Sequence, residues 1–137
     1  MDTASGSKSG AQMRKVPGRF LRFQKTFPEV FAAYDQLGTA VQTAGPLDRK
    51  TQSLLKLALA MGARMEGAVH SHTRRALEAG CHPEEIRHAA LLATTTLGFP
   101  QMMAGLSWVE DIIGPAAVPE VLSASPETAG GDVEKSD

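Results

Sequence analysis

Hydrophobic positions along the middle of the chain recur every three to four residues, which is the period of an amphipathic helix. The first such run carries apolar side chains at Val30, Phe31, Tyr34, Leu37 and Val41. Pro28 suits the first position of a helix, because its fixed φ is helical and its missing N–H would be unpaired there. The pattern predicts a helix over residues 28–43 that ends before the Gly45-Pro46 break.

A second helix is predicted after Asp48, whose carboxylate can cap the first turn. Its apolar residues continue through LLKLALAMGA, residues 54–63, which is apolar on nearly every side. A helix of this kind must be covered on more than one side, by its own domain or by another subunit. We therefore expect a homo-oligomer.

Three further helices are predicted downstream, which makes the expected fold an all-α, compact helical bundle. One runs from Arg64 to Gly80, where glycine suits the left-handed residue that ends a helix. The next covers residues 83–98, and the last begins at Pro100 and reaches about residue 113. Strand-like alternation and hairpin turn dipeptides are missing from the sequence of residues 14–114. About five to six helices are expected in this domain.

Composition limits the class of protein. The chain has 137 residues, a net charge of −1 and one cysteine. That length fits one domain, near-neutral charge disfavours a nucleic-acid partner, and one cysteine excludes an internal disulfide. No run approaches the roughly 20 apolar residues of a membrane span. We expect a cytoplasmic protein with no membrane partner, a disordered basic arm over residues 1–13 and a mostly disordered acidic tail over residues 115–137.

The candidate chemistry lies in RMEGAVHSHTRRALEAG, residues 64–80. On a helix, Met65, Ala68 and His72 share one face. Imidazole titrates near neutral pH, so His72 is either a general acid–base or a buried, hydrogen-bonded core histidine.

Four more charged or titratable residues of this helix are candidates for substrate contact. Arg74 and Arg75 leave it on adjacent faces, either to hold a carboxylate or as surface charges. Glu66 and His70 form an i, i+4 pair on another face, which is either half a metal site or an exposed charge contact. His70 and His72 are two residues apart and cannot chelate one ion from a regular helix. We expect no metal and no cofactor.

Four segments of the chain, LDRKT, SHTRRALEAG, PEEI and LGFP, occur in an order and spacing that resemble the carboxymuconolactone decarboxylase family. That family shares its fold with the alkylhydroperoxidase D-like proteins. The resemblance covers about residues 46–113 and implies an all-helical protomer that assembles as a trimer or a hexamer.

The resemblance also implies a site. In the redox branch of the family, a glutamate, a CxxC pair and a histidine form the reactive centre. The histidine falls on His72, but the cysteines fall on Met65 and Ala68 and the glutamate on Ser53. Thioether and methyl groups cannot form a disulfide, so we predict that thiol peroxidase activity is absent. The decarboxylase branch also lacks the cysteines and keeps the histidine, which would protonate a carbanion while Arg74 or Arg75 orients the anion.

Three functions remain open at this stage. The first is a non-redox, decarboxylase-like enzyme with a His72-centred pocket for a small carboxylated substrate. The second is a peroxide-reducing protein that uses Cys81 alone, although no second thiol lies near it. The third is a non-catalytic oligomer that binds a small molecule or partner through a methionine-rich surface. The methionines are Met61, Met65, Met102 and Met103, and their alternative role is ordinary core filling.

Overall fold

The computed structural model describes residues 17–119, and within that range every regular element is a helix. The helices are α1 (Gly18–Thr26), α2 (Pro28–Thr43), α3 (Arg49–Gly62), α4 (Glu66–Glu78), α5 (Pro83–Leu91), α6 (Thr94–Leu97) and α7 (Phe99–Ile113). The all-α prediction is confirmed, with α6 a single turn beside six longer helices. The predicted arm, residues 1–13, lies outside the described residues, as does all but residues 115–119 of the predicted tail.

Four helices, α3, α4, α5 and α7, enclose the hydrophobic core. α3 packs mainly on α4, while α7 packs on both α4 and α5. The core residues are Leu57, Ala60, Met61, Val69, Ala76, Cys81, Ile86, Ala90 and Val109. Gly105 of α7 permits a close approach to α3, because a Cβ there would lie 3.1 Å from Met61 Cγ. The large-to-small pairing lets Met61 fill the centre of the bundle.

Two helix ends match their predicted positions, and a third, the start of α4, differs by two residues. The Thr51 N–H donates to Asp48 Oδ1 at 2.8 Å, which confirms the predicted cap of α3. Gly80 follows α4 with φ +92°, the left-handed conformation predicted for it. Arg64 also has a positive φ, +57°, so α4 begins only at Glu66. The chain therefore turns sharply between α3 and α4, which places the two helices side by side.

The prediction of one helix over residues 83–98 is wrong. Between α5 and α6 the Ala93 N–H donates to the Ala90 carbonyl, three residues back, at 3.1 Å. The Thr94 hydroxyl donates to the Leu91 carbonyl at 2.7 Å and so competes for a helical acceptor. Three consecutive β-branched threonines follow the break, and their restricted χ1 lowers helix propensity. Local side-chain bonding thus overrides the apolar period.

The first two helices form a hairpin that stands apart from the core. Phe20 of α1 meets Phe31 of α2 edge to face, with ring centroids 5.6 Å apart, and neither helix has a buried residue. The end of the hairpin is tied to α3, since Gln52 Nε2 donates to the carbonyls of Gln42 (3.0 Å) and Leu47 (2.6 Å). This anchor holds α2 beside α3 and α4, where the two regions form a cleft.

Candidate functional site

His72 opens on a cleft of about 710 Å³ between α2 and the α3–α4 pair. α2 contributes Tyr34 and Asp35, α3 contributes Ser53 and Lys56, and α4 contributes His72 itself. The walls therefore come from both regions of the protein. The cleft is large enough for a small organic acid.

Four of the predicted site residues meet in this cleft. Met65, Ala68, His72 and Arg75 all line it. Their spacing of three to four residues places them on one face of the helical segment. Arg74 is not among the lining residues, and its Nε is buried without a hydrogen-bond partner in the described part of the chain. Of the two arginines, Arg75 is thus the one placed to meet a ligand beside His72.

The His72 ring is half-buried and has no polar partner within residues 17–119. Its Nδ1 is buried there and makes no hydrogen bond. Burial lowers the pKa of His72 below its ordinary value of 6.5, and the positive charges of Arg75 and Lys56 lower it further. The ring is therefore mainly neutral near pH 7. A core histidine would instead be packed and bonded to backbone, whereas this ring faces a cleft.

Three cations line the same cleft as the histidine and are free to meet an anion. Arg49, Lys56 and Arg75 line the cleft, and none forms a salt bridge within the described residues. The cleft also contains two carboxylates, Asp35 and Glu78. Three positive charges against two negative ones leave the lining with a net charge of +1. Guanidinium and ammonium groups with no partner of their own favour an anionic ligand.

Sequence reasoning missed several cleft residues. Lys56 could have been found, because it lies three residues after Ser53 and so shares its face of α3. Ser53 is the residue onto which the family resemblance places the glutamate of the redox branch. Tyr34 and Asp35 left no such signal, since their approach to His72 depends on how the α1–α2 hairpin folds back. Periodicity predicts α2, which carries Tyr34 and Asp35, but not that α2 lies opposite α3 and α4 across the cleft.

The predicted substrate residues Glu66 and His70 lie outside the cleft lining. His70 Nε2 lies 2.9 Å from Asp111 Oδ2 on α7. Glu66, His70 and Asp111 form a cluster in which one possible ligand atom of each residue lies within 4.8 Å of the others. This group could hold a divalent cation. Glu66 and Asp111 are exposed, however, and exposed acidic groups are common without a metal. We assign no metal here, and the expectation of none stays a prediction.

Cys81 is buried away from the cleft lining. Its Sγ lies 3.9 Å from the Lys50 carbonyl oxygen. Burial raises the pKa of the Cys81 thiol, and the neighbouring Glu85 carboxylate raises it further. Since the thiolate is the reactive form, this environment opposes thiol chemistry. The geometry therefore argues against a peroxide-reducing role for Cys81.

Comparison with known proteins gives matches to one family and one relative. The model of the carboxymuconolactone decarboxylase family matches residues 28–111, more than half of the chain. A protein of Haemophilus influenzae described as an "Uncharacterized protein" is 39% identical over 61 residues, which are 44% of this chain and 54% of that protein. The chain thus spans about half the length of this curated relative.

The matched residues begin with α2 and end within α7, so they contain both walls of the cleft and the core beneath it. Among residues 17–119, no helix combines the length and the apolar character needed to cross a membrane. The helical architecture, the retained histidine and the extent of the match agree: the chain belongs to the carboxymuconolactone decarboxylase family.

Proposed function

We propose that this protein is a non-redox, decarboxylase-like enzyme that uses His72 as its acid–base group on a small carboxylated, lactone-like substrate. The observation that carries the proposal is the setting of His72. Its ring opens on a cleft with unpaired cations and with Met65 and Ala68, rather than thiols, on the same face. Such a site can move a proton but cannot exchange electrons through a disulfide.

The proposed step is the loss of a substrate carboxylate. The C–C bond to that carboxylate breaks, CO₂ leaves, and the electron pair remains on the substrate as an extended enolate. Arg75 orients the substrate, and the net positive charge of the cleft lining stabilises the negative charge that develops on the lactone. His72 in its imidazolium form then gives its proton to the carbanion carbon and returns to the neutral state. A proton from solvent restores the imidazolium, so atoms and charge balance over one turnover.

We also propose that the enzyme works in the cytoplasm as a homo-oligomer, a trimer or a hexamer. The support for assembly is the apolar surface that the protomer leaves uncovered. Leu59, on the predicted all-round apolar helix, is 73% exposed, and Tyr34 on α2 is 65% exposed. Both also line the His72 cleft. A second protomer that covers this region would exclude water from the site, and a dry site strengthens its electrostatic interactions.

Turnover of γ-carboxymuconolactone and related lactones tests the proposal. His72→Ala should lower kcat/KM by about 10²–10⁴-fold, the usual contribution of general acid–base catalysis. His70→Ala is the matched control, since it removes an imidazole from the same helix outside the cleft lining. If His72→Ala turns the lactones over as the wild type does, the role of His72 is wrong. If no lactone is consumed while thermal-shift screening finds a specific ligand, the non-catalytic binding function replaces this one.

A further inference from the structure

Two cations on different helices, Lys56 of α3 and Arg75 of α4, line the cleft together with His72. We propose that they form a clamp for a carboxylate of the ligand, and that filling the clamp drives proton uptake by His72. The inference rests on the proposed function and deepens it. It names the group that the cleft recognises, and it explains how a neutral histidine becomes an acid only when a ligand is present.

The placement of the two side chains supports the clamp. α3 and α4 are the most extensively packed pair of helices, so the two backbones that carry these side chains are fixed relative to one another. Lys56 and Arg75 both act electrostatically on His72. Neither has a salt-bridge partner within residues 17–119. A guanidinium offers paired N–H donors to a carboxylate and an ammonium adds a compact positive charge, so both groups are chemically suited to bind a carboxylate.

The remaining charges around His72 leave this site positive. On α2 the cleft presents Asp35, on α3 it also presents Arg49, and on α4 it presents Glu78. The charged groups of α5 and α7 lie outside the lining. Several of them are already paired: Glu85 with Lys50, Asp111 with His70, and Glu110 with Arg87.

Ligand binding and protonation of His72 are therefore linked. In the empty cleft the two cations disfavour a third positive charge on the imidazole. A carboxylate between them offsets their field, so a proton from solvent moves onto His72 with less opposition. Linkage is reciprocal, and protonation must strengthen carboxylate binding by the same factor. The clamped carboxylate is one that the substrate keeps, because two cations on the departing group would stabilise the ground state and slow its loss.

NMR titration of His72 with succinate as the probe tests the clamp. In the wild type, succinate should raise the titration midpoint of His72 relative to chloride at equal ionic strength. Lys56→Gln and Arg75→Gln should each weaken succinate binding roughly fivefold and reduce this rise. Lys56→Gln should also raise the midpoint of the empty protein. Lys25→Gln is the control, since Lys25 is an exposed cation of α1 outside the cleft lining, and it should leave succinate binding unchanged.

The outcomes separate the clamp from the catalytic proposal. The clamp is overturned if succinate leaves the midpoint unchanged, if both variants bind succinate as the wild type does, or if inorganic phosphate binds and shifts the midpoint equally well. Circular dichroism establishes that each variant is folded. If the clamp behaves as expected while no lactone is consumed, only the proposed reaction fails. If His72→Ala abolishes turnover while Lys56→Gln binds and reacts normally, only the clamp fails.

Discussion

The α1–α2 hairpin and the core of α3, α4, α5 and α7 are built from equally helical sequence, yet they differ in what covers them. Every buried hydrophobic residue of the described chain lies in the core helices or at the turn before α5. The hairpin has none. Its exposed large apolar side chains are Phe20, Leu21, Phe23, Val30, Tyr34, Leu37 and Val41, with Phe27 exposed between the two helices.

This difference shows that an amphipathic sequence pattern predicts where a helix forms but not which surface its apolar face packs against. In the core the apolar stripes face one another within the protomer. In the hairpin they face outward, and this exposed apolar surface is the basis of the proposed oligomer. The cleft lies where the two regions meet. His72 lies on α4, which packs within the core. The opposite wall of the cleft is α2, which buries none of its residues within the protomer.

The largest expected contrast between the regions is in stability. Leu57→Ala removes a core side chain that is 0% exposed and should lower the free energy of unfolding by about 2–5 kcal/mol. Leu37→Ala on α2 should change it by less than about 0.5 kcal/mol at a protein concentration low enough to separate the proposed subunits. Urea denaturation measures both. Equal losses would mean that the hairpin belongs to the core.

Subunit association should depend on the hairpin, although the stability of the protomer should not. Leu37→Asp places a charge on the exposed apolar surface of the hairpin and should convert the proposed oligomer to protomers. Gln36→Asp, a charge at a neighbouring exposed position, is the control and should leave the assembly intact. Light scattering at low micromolar concentration gives the masses. A wild-type protein that is already monomeric there would refute the assembly.

A smaller effect is expected at the junction of the two regions. Asp48→Ala removes the side-chain cap of α3 and should cost about 1 kcal/mol of stability, while Asp48→Asn keeps an acceptor and should cost little. Thermal unfolding of the two variants measures the difference. Identical melting of Asp48→Ala and the wild type would show that the cap contributes nothing.

The smallest effect is a pH dependence from the cleft. His72 has a folded-state pKa below its ordinary value of 6.5, so the unfolded chain binds a proton more readily. Stability should therefore fall as the pH drops below 6.5 and level off beneath the folded pKa. His72→Gln should lose this component, whereas His70→Gln should retain it. A wild-type stability that rises on acidification through this window would contradict the direction.

Much of this structure follows from the sequence, and the failures have physical causes. The period, Asp48, Gly80 and the prolines predicted α2, α3, α4, α7 and the start of α5, but α1 was not predicted. The break between α5 and α6 was not predicted, because the Thr94 hydroxyl donates to the Leu91 carbonyl and the hydrophobic period carries no information about such a side-chain bond. Met65, Ala68, His72 and Arg75 were brought together as their helical spacing required.

The site contacts that the sequence did not reveal all cross between elements. Asp111 reaches His70 across 41 residues, and Asp35 joins the cleft only through the folding of the hairpin. Arg74 and Arg75 are neighbours in the chain but reach different surroundings, because Arg75 lies three residues after His72 and shares its face of α4, whereas Arg74 lies two residues after it and does not. Spacing places residues on a face, while tertiary packing selects which face meets a cavity.

Proton delivery by His72 is the central claim, and turnover of γ-carboxymuconolactone in D₂O tests it most directly. The wild type should release CO₂ and place one solvent-derived deuterium on a single face of the product carbon, since the acid has a fixed position. His72→Ala should release CO₂ about 10²–10⁴-fold more slowly and lose that facial selectivity. A His72→Ala protein with the wild-type rate and the same selectivity would contradict the claim.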